Sequence, residues 1–167
     1  MAQMTATEKQ RYLEEFEQEF QRTRRVLAAY PKDKLDLRPH PKSKSAMELG
    51  WMLVLNQYVV IPTLTQAELT PGGLPTIPGT WPEILSTFDA AHRDAVAKVN
   101  AIEDEALNRT LKIPVGPKQM GEMRRGKALW FFLSDTIHHR GQFSVYLRMA
   151  DAKVPSIYGP SADEPWS

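Results

Sequence analysis

Residues 128–146 read ALWFFLSDTIHHRGQFSVY. Within them Ala128, Phe132, Asp135, His139, Phe143 and Tyr146 advance by 4, 3, 4, 4 and 3 positions, the spacing that keeps side chains on one face of an α-helix. The outer members of the stripe are apolar or aromatic and the two middle ones are polar. Such a stripe faces a core, so Asp135 and His139 are expected on that face. The helical pattern extends in both directions, from about Met120 to Ala150, which is about 45 Å at 1.5 Å per residue. Gly141 lies inside it at a cost of about 1 kcal/mol relative to alanine, and close approach of a neighbouring helix would explain a glycine there.

A long helix with one apolar face needs partners, and the chain upstream supplies three. The first runs from about Thr7 to Ala29, with Leu13, Phe16, Phe20 and Leu27 at helical spacing, and Tyr30-Pro31 ends it. The second opens at Ser45, where Ser45 and Glu48 form a capping-box pattern, and its apolar face uses Leu49, Met52, Leu55 and Val59, widened by Trp51 and Leu53. Pro62 marks its expected end. The third opens at Thr80-Trp81-Pro82-Glu83, a second capping box with proline in the first turn, and carries Leu85, Phe88, His92, Ala95 and Val99 along one side. The segment PKDKLDLRPHPKSK, residues 31–44, reads as a loop. The Pro- and Gly-rich residues 66–79 form the longest irregular connection, of the kind used as a lid or a partner surface. Residues 110–115 alternate weakly and contain Pro114, too little for a sheet of their own. In the tail, VPSIYGPSADEPWS, the residues Ile157, Tyr158 and Trp166 suggest packing against the bundle. The pattern predicts an all-α fold, a four-helix bundle with long crossover connections and a packed C-terminal tail, as one domain over residues 1–167.

Composition narrows the function classes. The 167 residues hold no cysteine, which excludes disulfides, thiolate ligands and a cysteine nucleophile and fits a reducing compartment. Lys plus Arg number 21 against 20 Asp plus Glu, leaving no bulk charge for nucleic acid. The opening MAQMTATEKQRYLEEF lacks a basic run followed by an apolar one, so no signal peptide is expected, and no apolar stretch reaches about 18 residues. The expectation is a cytoplasmic protein with no nucleic-acid or membrane partner.

Asp135 and His139 are the candidate chemical residues. Bundles build metal sites from side chains on adjacent helices, and a carboxylate and an imidazole at i and i+4 can hold one divalent ion (Zn, Ni, Fe or Mn). A third ligand would come from another helix, with His92 and Glu48 as candidates by type. The plainer reading is an Asp–His pair that satisfies itself. His138 points about 100° away from His139 and reads as an exposed or interface residue. Arg140 and Arg148 read as surface or tail-anchoring arginines with Asp163 and Glu164 as partners, or as an anion site. Trp51, Trp81, Trp130 and Trp166 read as core and interface packing, with a shared apolar pocket as the alternative.

The stretch DTIHHRGQFSVYLRMADAKVPSIYGPSADE, residues 135–164, resembles the last helix and tail of the DinB/YfiT-like superfamily of damage-inducible four-helix proteins, which is distinct from the polymerase of the same name. SAMELGWML, residues 45–53, resembles its second-helix motif. The resemblance implies a metal site of three histidines, one on the second helix and two on the last. On this chain those positions are Met52, Asp135 and His139. Met52 is a soft thioether that suits a core better than a borderline divalent ion. Asp135 and His139 alone are fewer than the three protein ligands of a catalytic zinc. The expectation is therefore a degenerate metal site, with Zn, Ni or Fe held weakly or not at all, in a protein that binds a small molecule or a partner. The alternative is a metal-dependent enzyme of the family's type, a thiol transferase, isomerase or hydrolase-like protein. A homodimer is also expected, because bundles of this family pair through helices.

Overall fold

Three of the four long helices start where the sequence offers a cap. The computed structural model describes residues 5–70 and 72–166. Pro71, inside the expected Pro- and Gly-rich connection, lies outside the described residues, as do Met1–Met4 and Ser167. Helix α1 spans Glu8–Ala28 and is capped by Thr7 with Gln10 reaching back. Helix α2 spans Ala46–Tyr58 with the Ser45/Glu48 box in place. A short α3, Val60–Thr65, follows a break at Val59. Pro62 therefore does not end the second helix region. It sits in the first turn of α3, where an absent N–H costs no helical hydrogen bond. Helix α4 spans Trp81–Ala101 behind the Thr80/Glu83 box.

The last helix, α5, spans Arg125–Met149 and starts five residues later than the periodicity suggests. Residues 120–124 belong instead to β2 (Gln119–Arg124), which pairs antiparallel with β1 (Thr110–Gly116). Lys118 makes the turn in the left-handed region, with φ of 57°. This hairpin corrects the expectation that residues 110–115 are too short for a sheet. An isolated hairpin is marginal in water, but Leu111 and Ile113 bury one face against Leu69 and Ala128. Pro114 is accommodated because the pairing slips just after it, between Pro114 and Gly116. Glu68, in the 66–79 connection, adds a parallel bridge to Lys112.

The helices surround one another in the order α1, α5, α2, α4. Trp81 Nε1 donates to the Leu27 carbonyl at 2.9 Å, so α4 begins where α1 ends. Lys9 Nζ donates to the Ile102 carbonyl at 2.9 Å at the opposite end. Arg124 and Glu8 pair at 2.6 Å, which puts the start of α5 beside the start of α1. Thus α1 and α5 run one way, and α2 and α4 the other. The 66–79 connection travels the length of the bundle to keep α2 and α4 parallel. The 102–124 connection, which includes a 3-10 turn at Asp104–Asn108, crosses one end diagonally. The fold is a four-helix bundle with a small hairpin at one end.

Its upper core stacks Tyr30, Trp81, Phe143 and Tyr146, with Trp81 and Phe143 parallel at 5.5 Å between centroids. Trp51 and Trp81 are buried in this cluster, Trp130 lies against another, and Trp166 is exposed. The four tryptophans therefore share no pocket. Of the tail residues, Ile157 packs on the core while Trp166 does not. Arg148 meets Asp163 at 2.6 Å and Arg25 meets Glu164 at 2.8 Å, so the acidic end of the tail is tied to α5 and α1.

Candidate functional site

The face of α5 that enters the core carries Leu129, Leu133, Thr136, Arg140, Phe143 and Leu147. Asp135 and His139 lie about 100° around the helix from that line, toward α2. Their side chains are 30% and 15% exposed, so they stand on the margin of a groove rather than in the middle of the core. Gly141 faces outward with no neighbouring atom where a Cβ would sit, so it marks no helix contact. His138 is exposed, as expected, and meets the Gln142 amide at 3.1 Å.

The structure brings Asp135 and His139 together, with His139 Nε2 at 3.3 Å from Asp135 Oδ2. Asn56 of α2, itself buried, donates from Nδ2 to the same carboxylate oxygen at 3.0 Å. The other imidazole nitrogen, Nδ1, faces Gln142 Oε1 at 3.0 Å. Both ring nitrogens thus meet side-chain oxygens of α5, and α2 holds the carboxylate in place. Next to the pair opens a groove of about 440 Å³ lined by Leu49, His139, Gln142 and Tyr146, with Ser43 and Lys44 of the 31–44 loop at its lip. That volume falls in the range of small-molecule sites.

Met52 falls on the same side of α2. Leu49 lines the groove beside His139 and Asn56 meets Asp135; Met52 is three residues after the first and four before the second, on one helical face. Helical periodicity thus puts position 52 on the face of α2 that carries Leu49 and Asn56 toward α5. The two supplementary candidates go elsewhere. Glu48 is used by the α2 cap and by Arg38 at 2.9 Å. His92, on α4, is buried against α1 and α2, with Nδ1 at 3.1 Å from Gln57 Oε1 and Nε2 at 2.8 Å from Glu17, and its ring stacks on Phe20 at 3.7 Å. Burial lowers its pKa, and the Glu17 carboxylate opposes that shift. Among the described residues, no three His, Cys, Asp or Glu side chains converge.

The donors present do not suit a resident catalytic metal. A thioether, one carboxylate and one imidazole give two hard or borderline donors where three are normal. The imidazole nitrogen nearest Asp135 is already turned to the carboxylate. An Asp–His pair on a groove wall can still accept or donate hydrogen bonds to a ligand, and it can pass a proton.

The expectation that Arg140 anchors the tail holds, through Tyr158, and is corrected for its exposure and its acidic partner. The arginine is not a surface residue paired with Asp163 or Glu164 but is 1% exposed, and it pairs with Glu19 of α1 at 2.5 Å. It also donates to Thr23 at 3.2 Å and to the Tyr158 hydroxyl of the tail at 2.5 Å. Asn56, Gln57 and Glu19 were not singled out by sequence. For Glu19 the available signal was its place one turn from Phe16 and Thr23 on a face that is otherwise buried.

A family model described as the DinB family matches residues 1–166. Uncharacterized protein YrdA of Bacillus subtilis (strain 168) is 35% identical over 77 residues, which cover 46% of this chain and 45% of that protein. The match thus spans just under half the length of that relative. Among solved structures, the DinB-like protein YjoA of Bacillus subtilis superposes with a TM-score of 0.70 at 18% identity, covering 87% of this chain and 96% of that one. A DinB-like protein from Bacillus cereus ATCC 10987 gives 0.72 at 20% identity over 88% and 95%. YfiT from Bacillus subtilis, described as a probable metal-dependent hydrolase with an unusual four-helix bundle topology, gives 0.67 at 13% identity over 92% and 94%. At these identities the structural likeness speaks to the fold alone. With the family match running nearly end to end over a bundle of this topology, the chain belongs to the DinB family.

Proposed function

We propose that this DinB-family chain binds a small organic molecule in the groove between α2 and α5 and carries no resident catalytic metal. One observation supports the reading above the others. At the positions where the family resemblance puts metal ligands, His139 is turned to Asp135, Asp135 is held by Asn56, and the third position is Met52. The pair then acts as a fixed polar wall, with Asp135 orienting the imidazole and Gln142 holding its far side. Leu49, Val145 and the Tyr146 ring supply the apolar remainder.

The second reading is a metal-dependent enzyme. It is favoured by the description of YfiT and by the retained i, i+4 pair of donors at Asp135 and His139. Elemental analysis of protein purified without a histidine tag separates the two. The binding reading expects substoichiometric Zn, Ni and Fe and no thermal stabilisation on adding each ion. One ion per chain, with stabilisation that Asp135→Ala abolishes, overturns it in favour of the enzyme.

A further inference from the structure

The groove carries a charge pattern that selects among ligands. Neither of the two nearby carboxylates, Asp135 and Glu48, is among its lining residues, and one oxygen of each is already bonded. Asp135 Oδ2 takes Asn56 and His139, while Glu48 takes the Ser45 amide at 2.6 Å and Arg38 at 2.9 Å. Its cation is not covered. Lys44 lines the groove, and among the described residues no carboxylate lies within ion-pair distance of it. The backbone carrying Lys44 is fixed, because the Tyr146 hydroxyl donates to the Lys44 carbonyl at 2.7 Å. Burial raises the Tyr146 pKa, so this hydroxyl stays protonated and keeps donating. Ser43 adds a hydroxyl beside Lys44 at the lip, and Arg38 holds the Ser43 carbonyl at 2.7 Å. Below the lip the walls are Pro39, Leu49, Val145 and the ring of Tyr146.

We infer that the groove takes an organic anion with an apolar body, its carboxylate or phosphate head at Lys44 and Ser43 and its body between Leu49, Val145 and Tyr146. This rests on the small-molecule reading of the same groove. A cationic head would meet Lys44 with no carboxylate among the groove's lining residues to offset the repulsion. A neutral polar head would gain no charge–charge attraction at Lys44. Lys44 is a compact ammonium and serves carboxylate and phosphate alike as a point charge, so the chemistry of the head is common to both.

The test uses four probes on the full chain: 4-phenylbutyrate, phenyl phosphate, 4-phenylbutylamine and 4-phenylbutanol. Titration calorimetry reads affinity, and proton NMR of the His139 and Tyr146 rings reads location. The expected result is that one or both anions bind and shift those rings, at least about tenfold more tightly than the amine and the alcohol, and that Lys44→Gln removes the difference. Which anion binds more tightly separates a carboxylate from a phosphate ligand. Equal binding of amine or alcohol at the same rings overturns the anion inference and leaves the small-molecule reading standing. Binding of the anions away from these rings, indifference to Lys44→Gln, or no binding by any probe also overturns it. A stoichiometric metal in the untagged protein overturns the underlying reading instead, whatever the probe selectivity.

Discussion

Arg140 stands 1% exposed in α5, with Glu19 of α1 3% exposed against it at 2.5 Å. The Tyr158 hydroxyl accepts from Arg140 and donates to Glu19 at 2.8 Å, while Arg22 reaches the other Glu19 oxygen at 2.5 Å. Two guanidinium groups also lie over the Tyr158 ring, at 4.9 and 5.1 Å. Two charges taken from water are held only because each keeps its partner. Removing Glu19 leaves the Arg140 guanidinium buried with no opposing charge, and removing Arg140 leaves buried Glu19 with only the part-exposed Arg22 and the Tyr158 hydroxyl. Arg140→Ala is therefore expected to destabilise the fold by about 3–5 kcal/mol, read by urea or thermal unfolding. Replacing both members, Arg140→Met with Glu19→Leu, is expected to cost far less than either single change; a double variant as weak as Arg140→Ala would contradict this account. His92 makes a second prediction at the same scale. Its pKa is lowered, chiefly by burial, so below its ordinary value of about 6.5 the unfolded chain takes up a proton that the folded chain resists. Its contribution to stability is present above that pH and lost as pH falls through the window below it. Glu17 acts in a separate, more acidic window, because hydrogen bonds from Gln21 and then His92 lower its pKa. Melting temperatures measured from pH 7.5 to 5 should fall in the wild type, and the slope should flatten in His92→Gln. An unchanged slope would remove His92 from the acid response.

At the scale of elements, α2 and α4 meet at Gly50. A Cβ built there would stand 2.6 and 2.8 Å from two Trp81 ring carbons. The ring cannot easily yield, since Nε1 is bonded to the Leu27 carbonyl and its plane stacks on Phe143. Gly50→Ala is expected to destabilise by about 1–3 kcal/mol despite the better helix propensity of alanine. Gly141→Ala adds a methyl group in open space on the outside of α5 and is expected to stabilise by about 0.5–1 kcal/mol. Differential scanning of the two variants should move the midpoint in opposite directions; the same direction for both would refute the contrast. These elements also mark what the sequence makes readable. The capping boxes at Ser45/Glu48 and Thr80/Glu83 are local hydrogen-bond patterns, so their helix starts are legible to the residue. The start of α5 is not, because no side chain caps it and residues 120–124 become strand by pairing with 110–114, a contact set by the rest of the fold. The buried face of α5 is broader than the expected stripe: Ala128, Phe143 and Tyr146 of that stripe are buried, while Asp135 and His139 stand at its margin. The middle of the buried face, 129-133-136-140-143-147, contains Thr136 and Arg140, and Glu19 on another helix makes an arginine acceptable there.

At the scale of the molecule, the topology creates the site. Asn56 and Asp135 are far apart in the chain, and they meet because α2 and α5 lie side by side and antiparallel, which puts position 52 on the α2 face turned toward α5. Sequence reveals the i, i+4 pair on α5, since that geometry is local. It does not reveal Asn56, whose role depends on the rotation of α2 against α5, nor the Lys44 lip, whose position depends on Tyr146 reaching back to the 31–44 loop. The same topology gives the last prediction. If the bundle still has the shape of a metal site and lacks only its donors, then Met52→His with Asp135→His should restore three imidazoles around one point. Replacing Asp135 also frees His139 Nε2 from its carboxylate partner. The double variant is expected to bind about one zinc per chain by elemental analysis. At zinc a hundredfold above the dissociation constant, it should gain about 2.7 kcal/mol of stability by mass action. Met52→His alone keeps the Asp135–His139 pair and should bind more weakly than the double variant. A folded double variant that takes up no zinc would mean that position 52 does not face Asp135 and His139 closely enough to share an ion, and the placement of the site across α2 and α5 would have to be withdrawn.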